Sequence, residues 1–192
     1  MRVKWSGPVV ISLFAVLLVA VSLYNVPWHN APDAYAGDKV FSDLIMQAET
    51  WSVCMMNPPD AYRDKSDIPG SVLQEMHNSQ ITLVNRIFTG SYKRSAQEIV
   101  EANFNNANYK LAYGGGVNWI KINNLTVTGN SAVANVYVSK YLEVKVPKGY
   151  AKTQGTGNDI FSFSRDKGQW KISDLGGPGP IGNNVTTITP SP

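Results

Sequence analysis

From Ala132 to Val146 the chain alternates with a period of two. Ala132, Ala134, Val136, Val138, Leu142, Val144 and Val146 fall on one face, and Asn135, Tyr137, Ser139, Tyr141, Glu143 and Lys145 on the other. Such a period cannot be laid on one face of a helix, so this segment constrains the fold more than any other in the sequence. Only Lys140 interrupts its apolar side. The opposite side is amphiphilic and partly wet, which suits an antiparallel sheet with helices on one face.

Neighbouring segments extend the pattern. Trp119, Ile120, Ile122, Leu125 and Val127 read as a preceding strand whose alternation slips near Asn123-Asn124, where a bulge is expected, and Gly129-Asn130 makes the turn. Lys148 to Asn158, rich in Gly, Thr and Lys, reads as a long loop. Asp159 to Ser164 then gives a third strand with Phe161 and Phe163 on one face. Asp166-Lys167-Gly168 turns into a fourth, Gln169 to Leu175, where Trp170 and Ile172 share a face.

Before Val117 the period is helical. Phe41, Leu44, Ala48, Trp51 and Met55 form one stripe of a helix over 38–57, with Asp38 as its cap and Asn57-Pro58-Pro59 as its stop. Leu73, Met76, Gln80, Val84 and Ile87 mark a second helix, ending near Thr89-Gly90. A third is expected to start at Ser95, in a capping box with Glu98, and to present Val100, Phe104, Ala107 and Leu111. Gly114-Gly115-Gly116 reads as the turn that ends helical order. A phosphate cradle would need a strand before it and a helix after it, and the order here is the reverse.

Arg2 and Lys4 precede a run from Pro8 to Tyr24 with no charged residue. Positive charge ahead of an apolar run holds that end in the cytoplasm and sends the downstream chain outward. Residues 1–36 are therefore read as a signal peptide, cleaved after Ala34-Tyr35-Ala36, or as a membrane anchor through residues 8–24. The domain is expected over residues 37–176, extracytoplasmic and either secreted or anchored, with a disordered Gly/Pro/Thr tail over 177–192.

The 192 residues suit one domain, with 43% hydrophobic and 16% charged residues as in a globular chain. A net charge of +3, dispersed along the chain, gives no reason to expect nucleic acid. With Cys54 alone no internal disulfide forms, and Cys54 reads as a buried small hydrophobe. Cleavage of the leader would remove His29 and leave one histidine and one cysteine, too few nitrogen and sulfur ligands for a zinc site within one chain. The spacing of Asp60, Asp64 and Asp67 does not match a calcium loop. No metal and no cofactor is expected.

Helices succeeded by a meander of at least four strands make an α+β pattern, N-terminal helices packed on a curved antiparallel sheet. The ending Phe161-Ser-Phe-Ser-Arg-Asp-Lys-Gly-Gln-Trp-Lys-Ile-Ser-Asp-Leu175 resembles the last hairpin of the NTF2-like (cystatin-like cone) superfamily, over about Val72 to Leu175. That resemblance implies a cone open to either enzymes or binding modules. In its enzymes a His or Asp inside the cone acts as base, and His77 is the histidine placed to do so. His77, Trp119, Tyr137, Phe161 and Trp170 are the candidate pocket residues, with no catalytic role assigned to any. Asp159 and Asp174 read as solvated acids near strand ends.

Together these features read as a non-catalytic extracytoplasmic binding or assembly module whose partner is a protein, a cell-wall component or a small molecule. A homodimer through the sheet is a further partner. The alternatives are an isomerase or dehydratase in the same cone, and a membrane-anchored subunit of a secretion or conjugation complex.

Overall fold

The structure, a computed structural model, describes residues 34–147, 149–177 and 186–188. The apolar run over residues 8–24, with Arg2, Lys4 and His29, lies outside the described residues. Among those that are described, no helix is long and apolar enough to cross a membrane.

Among the described residues three α-helices precede the sheet: α1 (Ala34–Cys54), α2 (Gly70–Ile87) and α3 (Gly90–Asn105). In α1 the expected stripe is buried from Phe41 through Trp51, and Ile45 joins it. The helix starts ahead of Asp38, which is therefore an internal residue rather than the cap. Helix α3 likewise begins five residues before Ser95, so the capping box does not form. What separates α2 from α3 is the pair Phe88-Thr89. Phe88 is wholly buried, and the Thr89 N–H donates to the Ile172 carbonyl at 2.9 Å, pinning the joint to the sheet.

Four strands form an antiparallel meander, β1 (Ala112–Thr128), β2 (Ser131–Val146), β3 (Gly149–Asp166) and β4 (Gln169–Gly176), in the order β1-β2-β3-β4. With the helices packed on one face of this curved sheet, the architecture is the α+β cone that the resemblance implies. The β1–β2 register slips between Ile122 and Asn124, where the bulge was expected. A short strand, β5 (Thr186–Ile188), pairs with Lys152–Gln154 of β3. Part of the expected disordered tail is therefore a strand.

Two segments read as irregular are strand. Residues 149–158, expected as loop, pair with β2 without interruption from Gly149 opposite Val146 to Ser164 opposite Ser131. Their Gly, Lys and Asn are poor strand formers, and the long ladder to β2 overrides that local preference. Gly114-Gly115-Gly116 lies inside β1 rather than in a turn. A side chain on Gly115 would collide with the Val53 carbonyl, so the missing side chain lets the end of α1 lie directly on the sheet.

The core lies between α1 and the inner face of β2–β4. Val136, Val138, Phe161, Phe163 and Ile172 are buried there, and the Phe163 ring meets Phe41 edge-on with centroids 4.7 Å apart. The outer face of the sheet carries Trp119, Val133 and Ile160, all exposed.

Candidate functional site

The break in the β2 alternation is the centre of a buried ionic cluster. Lys140 shares the inner face with Val136 and Val138 and is only 3% exposed. Its ammonium donates to Glu49 Oε2 at 2.6 Å and to Asp159 Oδ2 at 3.4 Å. Glu49 is delivered by the apolar stripe of α1, one residue after Ala48, and is 0% exposed. Asp159 lies two residues before Phe161 on the inner face of β3 and is 4% exposed. It is thus mid-strand and buried, and not a solvated acid at a strand end; Asp174 is exposed, as expected.

These three groups face a cleft of about 280 Å³ walled by Trp51, Ser52, Met55, Tyr92, Ile99, Leu175 and Gly177. The exposed Ile99 and Gly177 place the opening, and the buried triad marks the inner end. A side chain on Gly177 would strike the Asp159 carboxylate, so glycine lets the backbone pass over that acid.

Ion pairs so deeply buried cost several kcal/mol of desolvation per ion, which direct contact and full hydrogen bonding must offset. Here the offset is incomplete. Oε1 of Glu49 is buried without a hydrogen-bond partner, and so is the indole N–H of Trp51. Burial, and then the neighbouring Asp159 carboxylate, raise the Glu49 carboxyl to about 7 against the pull of the Lys140 ammonium. Burial, followed by the charges of Asp174, Glu49 and Asp159, pushes the Tyr92 phenol up to about 12, so it stays neutral. Cys54 is half-buried, and burial raises its thiol.

The Glu49 shift has a measurable sign. A carboxyl held above its ordinary 4.5 binds its proton more tightly in the folded chain, so its contribution is fully present below pH 4.5 and is lost as pH rises through about 7. Urea unfolding between pH 4.5 and 7.5 will show stability falling across this window. Glu49→Gln will flatten the slope, and a variant that kept the full slope would assign it to another group.

The five residues expected to line a pocket are dispersed, and none of them borders this cleft. His77 lies on the side of α2 that faces α3, its Nε2 at 2.8 Å from Glu101 Oε1 and its ring edge-on to Phe104. Trp119 and Tyr137 meet on the outer face of the sheet, ring centroids 5.3 Å apart, and the Tyr137 hydroxyl donates to Thr156 Oγ1. Phe161 is buried in the core, while Trp170 is half-buried between Phe41 and Arg165. Among the described residues no group of three or more His, Cys, Asp or Glu could hold a metal ion.

No family model and no curated protein matches the chain. Among solved structures, the intermembrane space region of the chloroplast protein ARC6 superposes with a TM-score of 0.53 at 12% identity, over 73% of this chain and 95% of that one. A hexachlorocyclohexane dehydrochlorinase (LinA) of type 2 gives 0.50 at 13% identity, over 82% and 92%. An NTF2-like superfamily protein from Salmonella enterica serovar Typhimurium gives 0.36 at 17% identity, over 58% and 85%. At 12 and 13% identity the first two show likeness of fold alone. One is an enzyme and the other a region of a chloroplast protein, so the shared fold leaves function to the chemistry of the site.

Proposed function

We propose that this chain is a non-catalytic extracytoplasmic binding domain that takes a small molecule into the cleft between α1, α3 and the sheet. The observation that carries this reading is the Glu49 carboxylate, wholly buried at the inner end of the cleft with one oxygen unpartnered. Buried acceptors are nearly always satisfied, by protein or by ordered water, and one left open at the inner end of a cleft is a point where an entering molecule can supply the donor. The volume is near the lower end of ligand pockets, about 300 Å³, which points to a compact ligand. Lys140 ties up one oxygen of each acid, an arrangement suited to holding a ligand rather than to passing protons.

A second reading, proton transfer of the isomerase or dehydratase type, is favoured by the Glu49 carboxyl at about 7, where a general base works best near neutral pH. A third, a membrane-anchored subunit of a secretion or conjugation complex, shares the single apolar run over residues 8–24. The proposed address rests on Arg2 and Lys4 ahead of that run.

Two measurements test the proposal. Alkaline phosphatase fused after Leu175 will be active, whereas an inactive fusion places the domain on the cytoplasmic side. A screen of small fragments by protein NMR will move the Trp51 indole resonance, and Glu49→Gln will abolish the response. Turnover of a bound fragment would favour the enzyme reading instead.

A further inference from the structure

Resting on the binding reading above, we propose that the cleft recognises a small ammonium compound with at least one N–H and a compact apolar body, anchored on Oε1 of Glu49. The charges supply the first argument. Two carboxylates, Glu49 and Asp159, share the single ammonium of Lys140, so the ionised cluster carries one negative charge more than it balances. An uncompensated buried charge is costly, and a ligand cation removes that cost. A carboxylate ligand would add a third negative charge, and an alcohol would leave the imbalance in place.

The geometry supplies the second. The Lys140 ammonium lies on Oε2 of Glu49 and Oδ2 of Asp159, and it leaves Oε1 of Glu49 as a buried acceptor without a donor. An N⁺–H donor at this position would form a charge-assisted hydrogen bond, about twice as strong as a neutral one. The walls supply the third. Trp51 and Tyr92 are aromatic, with faces that attract cations, while Met55, Ile99 and Leu175 give apolar surface to the body of the ligand. The size of the cleft limits that body to roughly ten heavy atoms.

Proton linkage makes the idea sharply testable. The charged and titratable groups around Glu49 are Lys140 on β2, Asp159 on β3 and Tyr92 on α3, with Asp174 on β4 acting on Tyr92. Below about 7 the Glu49 carboxyl holds a proton, which an incoming ammonium must displace. Amine affinity will therefore rise with pH up to that value, by up to about tenfold per pH unit.

The experiment is isothermal titration of the full-length protein with two sets of ligands at pH 5.5 and 7.5. One set is phenethylamine, 2-phenylethanol and phenylacetate, and the other is hexylamine, hexanol and hexanoate. Each titration is run in two buffers of different ionisation enthalpy, which counts the protons released. The expected result is binding of an amine at pH 7.5, at least about tenfold weaker binding at pH 5.5 with release of close to one proton, and at least about tenfold weaker binding of the alcohol. Glu49→Gln, shown to be folded by circular dichroism, will lose both the preference and the pH dependence. An alcohol or acid binding as tightly as the amine overturns the ligand class and leaves the binding reading intact. Amine binding that Glu49→Gln does not weaken overturns the anchor. Failure of all six compounds to bind overturns the ligand class and the binding reading together.

Discussion

Replacing Lys140 by methionine will destabilise the domain by about 3–5 kcal/mol at pH 8, the cost of breaking a buried pair by removing one partner. The effect comes from the groups that stay behind. Glu49 and Asp159, both buried, would face one another without the ammonium that now contacts each. At pH 5 the loss will be smaller, because a proton can take the place of the ammonium on one carboxyl. Adding Glu49→Gln and Asp159→Asn to Lys140→Met should restore much of the stability, since the uncompensated charge disappears with them. Urea unfolding at the two pH values separates these cases. A Lys140→Met loss below about 1 kcal/mol at both would mean that the ion cluster is solvated, and the site built on it would fall.

Phe163→Ala will cost about 3–5 kcal/mol, the range for deleting a buried aromatic ring. Phe163 is 1% exposed and packs against both Phe41 of α1 and Phe161 of its own strand, so the cavity would open where helix and sheet meet. Against a total of about 5–15 kcal/mol for a typical domain, this is enough to lower the melting temperature by more than about 6 °C. Trp170→Ala should cost less, because Trp170 is half-buried and keeps one side toward Arg165. The reverse order of melting temperatures would move the centre of the core toward β4.

Where periodicity carried the signal, the sequence was readable. The alternation of Ala132 through Val138 and the stripe from Phe41 to Trp51 both reflect a single buried face, and both faces are buried as expected. Boundaries were harder to read. The first half of β3 is held by its ladder to β2 rather than by its own composition, and Gly114-Gly115-Gly116 serves close packing where the same residues could equally make a turn. Truncating β3 at Asp159 also displaces that acid to a strand end when only the sequence is read. Lys140 stands out as an interruption, but a lone lysine on an apolar face does not name its partners. Glu49 gives a fainter signal. An acid beside Ala48 on an amphipathic helix usually faces water, and only the position of Ile45 one turn earlier on the buried stripe marks it as inward-facing.

The triad draws on parts of the chain that meet at different stages of folding. Lys140 and Asp159 are 19 residues apart on adjacent strands of one long hairpin, whereas Glu49 is 91 residues from Lys140. Contacts across short loops are entropically cheaper to form and come earlier than those across long ones. The hairpin can thus present a lysine and one acid before α1 has docked, and the second acid arrives only with the helix. A compound that depends on Glu49 would bind the finished molecule and ignore its precursors, pulling the folding equilibrium toward completion by mass action.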